Sequence, residues 1–196
     1  MSRHLEKETR AMITQEQYVE ICSDILKSNR HAQYVSNTNY YFDTPDFVLT
    51  DNHRMVRIRD KGRSYEITYK AKGEDGDLEI NQDISDRLAH KYIKKGSLPH
   101  GEVYHAVASL GISPKTMKVI TSLYTRRLEN EYEDYLLVVD MNRYGDIEDF
   151  NIEIESKISM AHASEVLKRY CEQYQLTYRD DYLVKSARAI NSARNK

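Results

Sequence analysis

Glu6-Lys7-Glu8-Thr9-Arg10, close to the start of the chain, and Asn151-Ile152-Glu153-Ile154-Glu155, close to its end, read as two strands with acids at alternate positions. Side chains alternate across a β-strand, so Glu6, Glu8 and Arg10 share one face of the first, and Glu153 and Glu155 one face of the second. Carboxylates gathered on one face repel each other and lose hydration when packed. A divalent cation between them removes that cost. The same period of two returns with the opposite sign as Arg57 and Arg59, and again as Lys70 and Lys72. A cavity lined by paired acids and paired bases suits a metal ion and a polyanion together.

The alternation also assigns the opposite faces. Phe150, Ile152 and Ile154 oppose Asn151, Glu153 and Glu155; Val56 and Ile58 oppose Arg57 and Arg59; Tyr65, Ile67, Tyr69 and Ala71 oppose Glu66, Thr68, Lys70 and Lys72. The charged face of a single strand ordinarily meets solvent, but a solvated sheet face mixes its signs to limit repulsion. Here the signs are segregated by strand. That turns the charged faces toward an interior and leaves the apolar faces to pack under helices.

Composition narrows the classes. With 40% hydrophobic and 31% charged residues and a formal net charge of −2 over 196 residues, the chain reads as one ordinary globular domain. A near-neutral balance argues against a nucleic-acid coat or a membrane-surface binder. No apolar run approaches the roughly 18 residues of a membrane span, and the N-terminus lacks a signal-peptide core, so the cytoplasm is the expected location. Cys22 and Cys171 fall on apolar helix stripes and read as small buried hydrophobes. The histidines show no metal-ligand spacing, and neither a Walker loop nor a GxGxxG is present, so a phosphate site must be built from side chains.

Thr14 and Gln17 form a capping-box pattern ahead of an apolar stripe of Tyr18, Ile21, Cys22, Ile25 and Leu26. Strands are predicted at 36–42, 55–59, 64–72, 78–83, 122–132, 135–142 and 149–155. Between the fourth and fifth of these lies a helical block, about 85–120. Ser85 caps a helix ending at Gly96, Pro99 opens another ending at Gly111, and Ser113-Pro114 starts a short third. Helices at about 159–175 and 182–193 follow. Strands joined mostly by hairpins predict an α+β fold, an antiparallel sheet that closes, with helices packed outside.

These residues resemble the CYTH superfamily of triphosphate tunnel metalloenzymes. Glu6-Lys7-Glu8-Thr9-Arg10 is similar to its Glu-x-Glu-x-Lys signature, Tyr41-Phe42-Asp43-Thr44 to its Tyr-Phe-Asp-Thr stretch, and Met55-Val56-Arg57-Ile58-Arg59 to its Leu-Arg-Ile-Arg core. Ile67-Thr68-Tyr69-Lys70 resembles the Leu-Thr-x-Lys strand, Leu78-Glu79 the next acidic strand, and Thr125-Arg126-Arg127 the second basic strand, with Arg127 the better inward candidate. Asp140, Glu153 and Glu155 match the closing acidic strands, and Lys185-Ser186-Ala187-Arg188 the C-terminal Lys-Ser-x-x-Arg. The resemblance spans nearly the whole chain, taken as a single domain over 1–196, and the helical block is closest to the small bacterial triphosphatase-type members. It implies a closed eight-stranded antiparallel barrel enclosing a charged tunnel. It also leaves a homodimer open.

What it implies for chemistry is specific. Glu6, Glu8, Asp140, Glu153 and Glu155 would bind Mg²⁺ or Mn²⁺, which all-oxygen ligand sets favour over Zn²⁺. Arg10, Arg57, Arg59, Lys70, Lys72, Arg127, Lys185 and Arg188 would hold the phosphates. Glu79 and Glu155 are the catalytic candidates, orienting an attacking water. With Glu79 counted among the acids, these side chains leave a site of about +2, or about +4 with one metal, against the four to five negative charges of a triphosphate. A small-molecule triphosphate is therefore the expected partner, not nucleic acid or membrane. One departure stands out: Arg10 occupies the usual lysine position, and an arginine can bind phosphate but cannot serve as a general base. Lys7 and Thr9 are another, since they predict thinner helical cover on the opposite face of that strand. A class IV-type adenylate cyclase and a non-catalytic triphosphate-binding module remain alternatives.

Overall fold

A computed structural model describes residues 7–72, 78–179 and 181–195. The strands are β1 (Glu8–Ile13), β2 (Gln33–Asp43), β3 (Arg54–Asp60), β4 (Tyr65–Ala71), β5 (Leu78–Ile84), β6 (Lys118–Glu131), β7 (Tyr135–Tyr144) and β8 (Ile147–Ser156). The helices are α1 (Gln15–Ser28), α2 (Val48–Asp51), α3 (Asp86–Lys95), α4 (Glu102–Ala108), α5 (Met160–Tyr174) and α6 (Lys185–Arg194). The strands form one eight-stranded sheet in the order β1-β8-β7-β6-β2-β3-β4-β5, an α+β architecture. β1 and β5 end that order, and among the described residues no ladder joins them. The segments leading into both strands, 1–6 and 73–77, lie outside the described residues, and with them Glu6.

The chain divides into two compact units. In the unit made of residues 7–36 and 124–188, β1 runs antiparallel to β8, β8 to β7 and β7 to β6. Its core gathers Ala11, Ile152, Ile154, Val139, Leu137 and Leu128 from the strands with Ile21 and Ile25 of α1 and Val166 and Leu167 of α5. Of these, Ile152 and Ile154 are residues that alternation had placed opposite the charged face. Cys22 and Cys171 are free and buried in the same core. Thr14 and Gln17 complete the predicted reciprocal capping box on α1, and the Ser159 hydroxyl accepts from the His162 N–H to start α5. Lys7 and Thr9 do face outward as predicted, and the Lys7 amine donates to the Ile158 carbonyl, but cover is complete by Ala11.

In the unit made of residues 37–123 and 189–195, β2 pairs with β3, β3 with β4 and β4 with β5, all antiparallel. Val56, Ile58, Ile67, Tyr69 and Ile80 pack under Ala89 of α3 and Val103 and Val107 of α4. Three elements depart from the sequence reading. A one-turn α2 follows Pro45, held by Asp43, whose buried carboxylate accepts from the N–H groups of Thr44, Leu49 and Thr50 and from the Thr50 hydroxyl. α4 begins only after Gly101, so Pro99 does not open it. The helix expected at Ser113-Pro114 is a turn closed by the Thr116 N–H on the Ser113 carbonyl, because β6 begins early at Lys118 and draws the chain into the sheet. Among the described residues no helix is long and apolar enough to cross a membrane.

Candidate metal and phosphate site

On the face of β1, β8, β7 and β6 turned away from the α1–α5 core, four carboxylates meet three cations. Register sets the arrangement: Glu8 lies opposite Glu155, Arg10 opposite Glu153, and Arg127 opposite Asp140. Asp140 is fully buried and takes Arg127 in a forked pair, Nε to Oδ1 at 2.8 Å and Nη2 to Oδ2 at 3.0 Å. Arg127 Nη2 also donates to Glu153 Oε2 at 2.9 Å. From the start of α6 the Lys185 amine reaches Asp140 Oδ2 at 2.5 Å and Glu153 Oε2 at 3.0 Å. Arg10 pairs with Glu8, and its Nε stands 3.6 Å from Glu153 Oε1. Burial alone would raise the Asp140 pKa, but Lys185 and Arg127 hold it below the usual carboxylate range. Burial likewise works against the Lys185 ammonium, and Glu153 and Asp140 more than restore it.

One carboxylate oxygen from each of Glu8, Glu153 and Glu155 lies within 4.8 Å of the others. Two further features fit that trio to a hard divalent cation. Glu153 is 1% exposed, and its Oε1 is buried with no hydrogen-bond partner. Glu8 is pushed up to about 7, first by burial and then by the charge of Glu153, as expected for an acid packed against an acid. Asp140 contributes instead as the partner of Arg127 and Lys185, with both oxygens engaged. Because Glu8 binds its proton more tightly folded than unfolded, the metal-free protein should lose stability as pH rises from 4.5 toward 7. Cation binding must expel that proton, so Mn²⁺ affinity should fall roughly tenfold per pH unit below 7. Titrating Mn²⁺ by calorimetry from pH 5.5 to 8 checks this, and Glu8→Gln should flatten the profile.

In the other unit the face opposite the core carries Arg57, Arg59 and Lys70. Arg59 Nε donates to Asn39 Oδ1 at 2.9 Å, whereas the Arg57 Nε is buried without a partner. Lys70 lies opposite Glu79, which accepts from Asn81 Nδ2 at 2.9 Å, and buried Thr68 donates to Asn81 Oδ1 at 2.7 Å. Lys72 lies just past the end of β4 and is exposed. Arg126 turns outward over the Tyr34 ring, 4.3 Å from its centroid, which separates it from Arg127 as alternation requires.

Sequence reading placed Asn151 on the first face and Arg188 in the site, but it missed the extension that Thr125, Asn142 and Asp149 build with them. Thr125, Asn142 and Asn151 are buried side by side on β6, β7 and β8, and Asp149 forks onto Arg188, accepting Nε at 2.8 Å and Nη2 at 2.9 Å. Asn142, Asn151 and Asp149 all fall in step with Asp140, Glu153 and Glu155, so the period of two was the available signal.

Residues 4–180 match the CYTH domain family model. Over 180 residues the chain is 29% identical to a protein of Bacillus subtilis (strain 168) provisionally named as a triphosphatase, YjbK, with 92% of each chain covered. The crystal structure of a protein from Bacillus halodurans, provisionally named as an adenylate cyclase, superposes with a TM-score of 0.82 at 29% identity, covering 96% of this chain and 98% of that one. HpAC1 from Hippeastrum, provisionally named as an adenylyl cyclase and described as showing a dominant triphosphatase activity, superposes with a TM-score of 0.75 at 18% identity over 94% of each chain.

Proposed function

Since the chain belongs to the CYTH domain family, we propose that it is a divalent-metal-dependent hydrolase of inorganic or small organic triphosphates. The observation that carries the reading is the Glu8–Glu153–Glu155 trio, with its buried, unpartnered Glu153 oxygen, set against Arg10, Arg127 and Lys185. Mg²⁺ or Mn²⁺ held by these carboxylates would neutralise them and the phosphate oxygens brought to it. Arg127 keeps Nη1 only loosely engaged, 3.8 Å from Glu155 and 4.0 Å from Glu129, and so retains donors for a phosphate oxygen. Arg57 and Arg59 of β3 and Lys70 of β4, with Lys72 just beyond it, supply positive charge, Arg57 with a donor already buried and unpaired. Phosphoryl transfer to water depends chiefly on such positioning and charge. Glu155 and Glu79 are the acids assigned to orient the water. Arg10 serves as a phosphate or carboxylate partner and not as the base.

The cyclase reading is favoured by the name given to the Bacillus halodurans protein. Incubating the protein with ATP, tripolyphosphate and thiamine triphosphate, each with Mg²⁺ and with Mn²⁺, separates the two. Orthophosphate release should dominate, and cyclic AMP as the main product from ATP would replace the hydrolase by the cyclase. Arg57→Ala should raise KM for the preferred triphosphate at least about tenfold by removing a charge-assisted donor. Arg63→Ala, exposed at the turn between β3 and β4, should leave KM unchanged. Equal effects from the two would refute the inward assignment of Arg57.

A further inference from the structure

Arg188 has little left to offer a phosphate. Of its five N–H donors, Nε goes to Asp149 Oδ2 at 2.8 Å, Nη2 to Asp149 Oδ1 at 2.9 Å and to Asn151 Oδ1 at 3.0 Å, and Nη1 to the Leu183 carbonyl at 2.7 Å. One donor remains, whereas a guanidinium clamps phosphate through two parallel N–H groups. Its carboxylate partner is fixed in turn. Tyr144 donates to Asp149 Oδ2 at 2.5 Å and Asn142 Nδ2 to Asp149 Oδ1 at 3.0 Å. Asn142 also donates to Asn151 Oδ1 at 2.8 Å and accepts from Thr125 at 2.9 Å, so the network is anchored on β6, β7 and β8. Arg188 is one turn along α6 from Lys185, and residues three apart share a helix face. Holding Arg188 therefore sets where the Lys185 amine falls, and it falls on Asp140 and Glu153.

We propose that Asp149 is a positioning residue: through Arg188 it pins the first turn of α6 to the sheet and thereby delivers Lys185 to the Asp140–Glu153 pair. Arg188 is then a pin and not a phosphate ligand. Asp149 and Arg188 are each only 13% exposed, so the fork operates where an unpaired partner would be costly. The kinetic part of this inference rests on the proposed hydrolase, and the structural part does not.

Three variants test it: Asp149→Asn, Arg188→Gln and the two combined, with Tyr144→Phe as a milder loosening of the same carboxylate should Asp149→Asn fail to fold. Amide hydrogen exchange reads the pin without any substrate. In Asp149→Asn the α6 amides should exchange at least about tenfold faster while β7 amides keep their protection, and Tyr144→Phe should shift α6 in the same direction by less. Unchanged α6 protection in a folded Asp149→Asn would overturn the proposal. Kinetics on tripolyphosphate then separates pin from ligand. Asp149→Asn and Arg188→Gln should each lower kcat by a similar factor, about tenfold, with the double variant no worse than either, the non-additivity of residues acting as a unit. If Arg188→Gln raises KM strongly while Asp149→Asn leaves KM unaltered or lowers it, Arg188 is a phosphate ligand and the proposal fails. A protein with no turnover at all would fail the hydrolase reading, while hydrogen exchange would still decide the pin.

Discussion

Glu155→Gln should lower the rate of phosphate release at least about 100-fold while leaving the fold intact. Glu155 lies directly opposite Glu8 in the β1–β8 ladder, and each contributes an oxygen to the acidic trio. Like charges facing each other across a ladder destabilise it in the absence of a cation. The amide keeps the size and removes the charge, so metal-free stability should hold or rise while metal affinity falls. Losing even an outer-shell partner of a bound metal costs about 10–100-fold, and loss of a ligand charge should cost more. Unlike Glu153, Glu155 is 41% exposed, so its neutralisation leaves no buried cation stranded. Rates with saturating Mg²⁺, alongside thermal melts with and without metal, check both halves. Near-normal turnover would remove the trio from the metal site.

Asp140→Asn should have the largest effect on stability, about 3 kcal/mol or more by urea denaturation. Its carboxylate is fully buried and neutralises Arg127 and Lys185 together. Removing one partner from a buried ionic network leaves the remaining charges uncompensated, at a cost of about 3–5 kcal/mol. The comparison is Asp181→Asn, which breaks an exposed pair with Arg179 and should cost less than about 1 kcal/mol. The pH dependence has a definite sign. Asp140 is held below its ordinary value of 3.8, so its contribution is complete above that pH and is lost as pH falls beneath it. That is opposite to Glu8, whose metal-free contribution worsens as pH rises toward 7. Equal stability losses in Asp140→Asn and Asp181→Asn would contradict the burial argument.

The alternation in Asn151–Glu155 and in Arg57–Arg59 was enough to separate the charged face from the core, because a strand's period of two leaves no other assignment for Ile152, Ile154, Val56 and Ile58. The family resemblance favoured Arg127 over Arg126 as the inward arginine, and Arg127 pairs with Asp140 while Arg126 lies over the Tyr34 ring. Element ends were less legible. β1 continues to Ile13 and β6 begins at Lys118, since ladder pairing extends strands past the residues whose pattern announces them. The short helix after Pro45 depends on Asp43 capping it from within the core, and a capping carboxylate has no distinctive signature ahead of so brief an element. Asp149 escaped for a related reason. Its partner is 39 positions away in α6, and its neighbours Asn142 and Thr125 are neutral, so a search for segregated charge passes over them.

The most direct test of the account follows tripolyphosphate by ³¹P NMR with the purified protein and Mg²⁺, then Mn²⁺. Conversion to diphosphate and orthophosphate is expected, abolished by chelation, with a ligand-induced rise in melting temperature that fades as substrate is consumed. A persistent rise with tripolyphosphate intact overnight in both metals would contradict it and leave a binding module in place of a hydrolase.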